Sequence, residues 1–369
     1  MKALAILGAM GAATHTPIDE LVVDEMVVRS CFLEIEPPRF DATHPDFRRQ
    51  VLVRVTAFSC NYRDKGFFLR LQQVPAAQFF IIGSEFVGTV EATGADVTHV
   101  APGDRVIGQN HYTASQSTIA PRDGLPTNQA SKQYLVLHEE KLCAIPPTMR
   151  DDVAASFSIG AQTVYSMLRR AAPVAGSRAL VPSATSSTSQ FLIRALHARG
   201  VRVFASTTSQ AFDDALAAMG VERVIHVSPG TDDSGAGDAI DRVAAEVGGF
   251  ECVFDPFFDL HLAKSVRVMN PFGTYVTCGL SAQNPAAARR RDIRTLDATP
   301  VIATAIVKNV AIIGNCLGLR DDLKHALDDH ARGALDVGID SVYEGDSAGA
   351  FLDRTFNDRK RFGKVVYRY

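Results

Sequence analysis

The chain has 369 residues, 46% of them apolar and 21% charged, a size beyond one ordinary domain that predicts two, each able to bury its own core. Its 38 Lys and Arg against 41 Asp and Glu give a net charge of −3, which removes the electrostatic case for nucleic acid or an anionic membrane. No apolar run reaches the roughly 18 residues of a membrane span, and six cysteines spread without a CxxC pair suit a reducing cytoplasm.

Met1-Lys2-Ala3-Leu4-Ala5-Ile6-Leu7-Gly8 reads as a strand, not a secretory leader, because Glu20, Asp24 and Glu25 follow too soon for a cleavage pattern. Gln50 to Ala57 alternates as a half-buried strand, and Phe86 to Gly94 does so again. Between them lies Asn61-Tyr62-Arg63-Asp64, with Tyr62 expected at a strand end, and two apolar tracts, Phe67–Leu71 and Phe79–Ile82, that fit a substrate pocket and core packing equally. Pro102-Gly103-Asp104 makes a turn before Arg105–Gly108. A polar, cysteine-free loop then runs from Gln109 to about Ser131 and ends in the strand Tyr134–Leu137.

From about residue 152 the pattern becomes helical, and strands begin to alternate with helices, as in a parallel sheet covered on both faces. The predicted strands are Ala179–Val181, Val201–Ala205, Val224–Val227, Cys252–Phe254, Thr274–Cys278 and Val310–Ile313. Arg289, Arg290, Arg291 and Arg294 form the one conspicuous charge cluster, either a solvated loop or a grip for a carboxylate, a phosphopantetheine phosphate or an acidic carrier. After roughly residue 330 the chain is expected to rejoin the first domain, where Gly363-Lys364-Val365-Val366-Tyr367 reads as a closing strand.

The most informative stretch is Leu180-Val181-Pro182-Ser183-Ala184-Thr185-Ser186-Ser187-Thr188-Ser189, a strand and small-residue loop that lead into a helix and a second strand. Such a βαβ unit lays a dinucleotide pyrophosphate on the helix N-terminus. Ser183, Ser186 and Ser189 stand where three glycines are usual. Serine hydroxyls can hydrogen-bond phosphate, and the loop serves if no position requires positive φ.

Asn61-Tyr62-Arg63-Asp64, Gly83-Ser84-Glu85-Phe86-Val87-Gly88 with Gly94, Pro102-Gly103-Asp104-Arg105-Val106, Thr163-Val164-Tyr165 and Gly363-Lys364-Val365-Val366 occur in that order. Their order and spacing resemble the medium-chain dehydrogenase/reductase superfamily over nearly the whole chain, and the Asn-aromatic-Arg-Asp segment is similar to its quinone oxidoreductase and enoyl reductase branches. The resemblance implies an α/β protein with a GroES-like catalytic domain at 1–152 and 331–369, a Rossmann domain at 153–330, a cofactor cleft between them, and a homodimer. It also implies that Thr277-Cys278-Gly279-Leu280 and Asn315-Cys316-Leu317 line the nicotinamide end, with Thr163 nearby. Asp255 either faces that cleft or caps its own loop.

In zinc-bearing members the ligands are Cys, a His before Glu, and a second Cys. Asn61, Ser84 and Ile159 hold those positions here, so thiolate and imidazole donors are missing. Ser206-Thr207-Thr208-Ser209 ends the second Rossmann strand without an acid, favouring NADP(H) over NAD(H), with Arg202 a candidate helper; a plain hydroxyl-rich loop is the other reading. Proton-donor candidates are Tyr62, Lys65, Cys60 and Tyr112, with Tyr62 preferred, while Asp64 orients its loop and Glu85 does the same near the metal position. These features predict a cytoplasmic, zinc-independent NADPH-dependent reductase of an activated C=C bond on a small-molecule substrate, free or carried as a thioester. A C=O or C=N reductase or dehydrogenase of a biosynthetic pathway, and a non-redox binding or scaffold protein of the same fold, are the alternatives.

Overall fold

Alternating burial along Gln50–Ser59, with Val51, Val53, Val55 and Ala57 inside, makes this strand the spine of one sheet. A computed structural model describes residues 1–8, 17–71, 79–110, 129–228, 237–282, 297–358 and 360–369. It forms an α/β chain of two compact units, Met1–Ile159 with Ile339–Tyr369, and Gly160–Ala282 with 297–338. No helix among the described residues is long and apolar enough to cross a membrane.

The first unit is β-rich. Its strands are β1 (Lys2–Leu7), β2 (Asp19–Val23), β3 (Met26–Glu34), β4 (Gln50–Ser59), β5 (Phe79–Ile81), β6 (Glu85–Thr93), β7 (Arg105–Gly108), β8 (Tyr134–His138) and β9 (Leu142–Ala144). After β10 to β15 of the other unit, the chain returns with β16 (Ile339–Tyr343) and β17 (Lys364–Arg368), as its closing pattern predicts. Among the described residues one sheet has the order β2-β3-β1-β5; the other runs β16-β17-β4-β6-β7-β9, with β8 also paired to β4. Phe58, Phe351 and Tyr367 form an aromatic knot in the shared core, with ring centroids 5.3–6.0 Å apart.

The second unit is a parallel sheet of β10 (Arg178–Val181), β11 (Arg202–Thr207), β12 (Val221–His226), β13 (Phe250–Asp255), β14 (Met269–Thr277) and β15 (Ala311–Gly314). All six predicted strands are present. Their order, β12-β11-β10-β13-β14-β15, reverses direction between β10 and β13, the switch point at which doubly wound sheets open a crevice at the strands' carboxyl ends. Leu180, Phe204, Phe250, Val253 and Tyr275 make the core of this sheet.

Gly94 follows β6 and shows why that position is glycine: a Cβ there would lie 1.8 Å from the Phe47 carbonyl oxygen, which is backbone and has little room to yield. We expect Gly94→Ala to lower stability by about 1–3 kcal/mol in urea denaturation, the usual cost of overpacking. An unchanged midpoint would show that the turn at Phe47 and Arg48 moves aside freely.

Candidate active site

Strand β4 ends at Ser59, and Cys60 and Asn61 lead into helix α1 (Tyr62–Leu71). Asp64, in the first turn, accepts the backbone N–H of Asn61 through Oδ2 at 2.6 Å, a carboxylate reaching back to close the helix start. The Asn61 side chain is thereby released for a different task. Its Nδ2 donates to Ser84 Oγ at 3.0 Å and to Glu85 Oε1, while its Oδ1 accepts from Lys364 Nζ at 2.8 Å. Lys364 also reaches Glu85 Oε1 at 2.7 Å, the Ile159 N–H donates to Glu85 Oε2 at 3.1 Å, and Ser84 donates to Asp64 Oδ2 at 2.6 Å.

Both charges are out of solvent, with side-chain exposures of 3% for Lys364 and 0% for Glu85. A pair so buried is tolerable only when its remaining donors and acceptors are matched, which Asn61 and the Ile159 amide help to do. Burial raises the Asp64 carboxyl above its ordinary value, and burial followed by the Asp64 charge pushes the Cys60 thiol well up, so Cys60 is a poor acid. At the three positions that the family resemblance implies for zinc ligands, Asn61 and Ser84 are already hydrogen-bonded and Ile159 has no ligating side chain. This donor set does not fit zinc. Among the described residues no three His, Cys, Asp or Glu side chains gather to hold a metal ion.

Tyr62 is the first residue of α1 and not a strand end, which corrects the sequence expectation. It is 36% exposed, and its Oη accepts from Lys65 Nζ at 2.7 Å. Lys65 is buried and paired with Asp24 at 2.8 Å, a partner with no signal in the sequence. Phe68, Leu69 and Ile82 belong to the core, so for these three the packing reading of the apolar tracts holds. Tyr112, Arg289, Arg290, Arg291, Arg294 and the side chains of Phe67 and Leu71 lie outside the described residues.

In the second unit, the serine loop joins β10 to helix α2 (Ser187–His197). Ser186 is its N-cap at φ −69°, accepting the Ser189 N–H at 3.2 Å and donating to Ser189 Oγ, which in turn donates to the Pro182 carbonyl at 2.8 Å. Two of the three serines thus close the loop upon itself. Ser183 is different: its φ of +51° is left-handed, so one position does occupy the region that glycine fits at lower cost. Ala184 is fully buried, its N–H on the Ser206 carbonyl at 2.9 Å, while Thr185, Ser187 and Thr188 stay half-buried around the helix start.

At the end of β11, Ser206 and Thr207 are buried, and Thr207 Oγ1 accepts the Ser209 N–H at 3.1 Å; Thr208 is exposed. Arg202 does not help there. It begins β11, at the opposite end of the strand, and is forked onto Glu222 at 2.8 and 2.5 Å. Of the two readings of Asp255, the capping one is observed: Oδ1 accepts from the Phe257 N–H and meets His261 Nδ1, both at 2.8 Å, and Oδ2 accepts from Tyr275 at 2.6 Å.

Cys278 follows β14, its thiol pushed up to about 12 by burial first and then by Asp255 and Cys316. A Cβ on Gly279 would lie 2.5 Å from the Pro256 carbonyl oxygen, so the loop itself demands glycine there, with Leu280 beyond it partly exposed. Asn315 is buried and fully engaged, accepting from Ser166 at 2.9 Å and donating to the carbonyls of Leu317 at 3.0 Å and Thr163 at 3.4 Å; Cys316 beside it is exposed. The loops after β10, β11, β13, β14 and β15 therefore gather at one edge of the sheet.

Lys364 is the functional-site residue that motif reading left in a closing strand. A lone ammonium inside the apolar run Val365-Val366-Tyr367 is itself a signal that a buried acid must meet it. We expect Lys364→Met to cost about 3–5 kcal/mol by leaving Glu85 unpaired, and Lys364→Arg much less, in urea denaturation; a loss below about 1 kcal/mol would refute the pairing. Ser183→Gly should raise the melting temperature, corresponding to about 0.5–1 kcal/mol, whereas Ser186→Gly should not, because it removes a cap from an extended residue.

Residues 48–147 match the family described as alcohol dehydrogenase GroES-like domain, and residues 188–332 match zinc-binding dehydrogenase. A stretch of 250 residues, 67% of this chain, is 29% identical to mycoketide-CoA synthase of Mycobacterium tuberculosis. A stretch of 116 residues, 31% of this chain, is 34% identical to the enoyl reductase component of lovastatin nonaketide synthase from Aspergillus terreus. These stretches make up only 5% and 29% of the two relatives' own lengths. Among solved structures, an NAD-dependent alcohol dehydrogenase superposes over 100% of both chains with a TM-score of 0.74 at 20% identity. The quinone oxidoreductase of Coxiella burnetii does so over 100% of both with 0.70 at 17%. Such low identities speak for the fold alone. With both family matches in register along a GroES-like unit and a doubly wound nucleotide-binding sheet, the chain belongs to the medium-chain dehydrogenase/reductase superfamily.

Proposed function

We propose that this oxidoreductase is zinc-independent and uses NADPH to reduce an activated C=C bond in an enone, a quinone or an enoyl thioester, free or held on a carrier. The observation that carries the reading is the Asn61–Ser84–Glu85–Lys364 network, which fills the metal-ligand positions with mutually hydrogen-bonded groups. Without a Lewis acid to polarise an alcohol, chemistry that needs only a hydride and a proton is favoured. The relative that is by name an enoyl reductase component supports the same choice.

When bound, the dihydronicotinamide supplies the hydride. We assign its binding to Thr163, to Ser183–Thr188 with the α2 N-terminus facing the pyrophosphate, to Ser206–Thr208, and to Cys278–Leu280 with Asn315 and Cys316. The absence of an acid after β11 leaves room for a 2′-phosphate. Tyr62 donates the proton, and Asn61 and Asp64 fix the helix start that carries it. Six free cysteines support a cytoplasmic setting. The sheet edge at β15, with Ile302, Ile306 and Ile312 exposed on and beside it, supports a homodimer.

The test is a fluorescence titration with NADPH and NADH, followed by NADPH oxidation with a trans-2-enoyl N-acetylcysteamine thioester. NADPH should bind more tightly than NADH and be oxidised. Thr208→Asp, at an exposed position, should weaken NADPH about 10- to 100-fold by repelling the 2′-phosphate and change NADH less than about twofold. No binding at millimolar coenzyme would favour the non-redox reading, and equal effects on both coenzymes would remove this loop from phosphate recognition.

A further inference from the structure

Tyr62, Lys65 and Asp24 meet outside the buried Glu85–Lys364 network, at the first turn of α1. Lys65 Nζ, on a side chain only 3% exposed, donates to Tyr62 Oη at 2.7 Å, lies 4.1 Å over the same ring, and is paired with Asp24 at 2.8 Å. The Asp24 carboxylate comes from the turn between β2 and β3, where Asp24 (φ +45°) and Glu25 (φ +67°) both take left-handed conformations that glycine or asparagine adopts more cheaply. That strained turn places the Asp24 carboxylate against a buried ammonium. The Arg361 charge also interacts electrostatically with the Tyr62 phenol.

An oxygen that accepts from an ammonium must direct its own proton elsewhere, and the adjacent positive charge stabilises the phenolate left behind. We propose that Lys65, held by Asp24, is the positioning residue that makes Tyr62 a proton donor and then reprotonates it. This rests on Tyr62 being the donor. Hydride addition to one carbon of the C=C bond leaves the π pair on its neighbour. The Tyr62 O–H proton goes to that carbon, its bond electrons remain on oxygen, a Lys65 N–H proton passes to the phenolate, and the neutral amine regains a proton from water.

The test compares Tyr62→Phe, Lys65→Met, Lys65→Arg and Asp24→Asn with NADPH and the enoyl N-acetylcysteamine thioester. Tyr62→Phe should lower kcat by about 100-fold or more, Lys65→Met by about 10-fold or more with a larger solvent deuterium isotope effect, and Lys65→Arg should recover most of the rate. The NADPH Kd should stay within about twofold throughout, a pattern that a merely structural anchor for the β2–β3 turn would not give. Wild-type kcat in Tyr62→Phe overturns the donor assignment and the relay with it. A slow Tyr62→Phe beside a fast Lys65→Met overturns the relay alone. In spectra of protein labelled at tyrosine ¹³Cζ, the Tyr62 signal, identified by its loss in Tyr62→Phe, should move in Lys65→Met and return in Lys65→Arg; an unmoved signal overturns the coupling even if the thioester is not turned over.

Discussion

Glu85 and Lys364 are 279 residues apart in sequence and meet beside β4, which lies between their strands in the β17-β4-β6 order. Val366 pairs with Ser59 and Ser59 with Glu85, so the register of both ladders must be right before ammonium and carboxylate can meet. A one-residue slip in either strand would turn one of the charges to the other face of the sheet. The pair therefore acts as a check on how the first unit closes, and the Asn61 and Ser84 side chains are locked by the same contact. The placement of the Asn61 side chain rests on this buried charge pair.

The serine loop follows a different logic. Glycine in such a loop provides access to positive φ and close approach; serine provides hydroxyls but resists the left-handed region. Here the hydroxyls of Ser186 and Ser189 make the cap and the tie to Pro182, and the strain falls on Ser183 alone. The N-terminus of α2 is thereby fixed by its own side chains, a rigid arrangement for a dipole end suited to anions.

The positions of the second unit's strands and the run of motifs were legible because they depend on local alternation and on turn residues close in sequence. The β10–α2–β11 unit could be read from residues 180–208. Contacts that cross the fold were not. The partnership of Lys364 with Glu85, of Lys65 with Asp24, and of Asp255 with Tyr275 joins residues far apart in sequence; Lys364 beside its apolar run signals a buried acid without saying which one. Arg202 misled for a related reason: a basic residue two positions from the apolar centre of a strand looks close to its carboxyl end in sequence, but a strand rises about 3.3 Å per residue, which takes it to the far edge of the sheet. A motif that follows a strand reads as its end, whereas the Asp64 carboxylate starts a helix at Tyr62 immediately.

The long span between Glu85 and Lys364 also sets an order of events during synthesis. All of the described second unit, 160–282 and 297–338, emerges before Lys364 does, so the nucleotide-binding sheet can complete itself while β6 still carries a carboxylate with no lysine to meet. At the usual 5–20 residues per second, Glu85 waits on the order of 15–55 s for its counter-ion. During that interval β8 already covers the Gln50–Arg54 part of β4, and only its Ala57–Ser59 end waits for β17, which takes the part of a latch that joins after β4, β6 and β8.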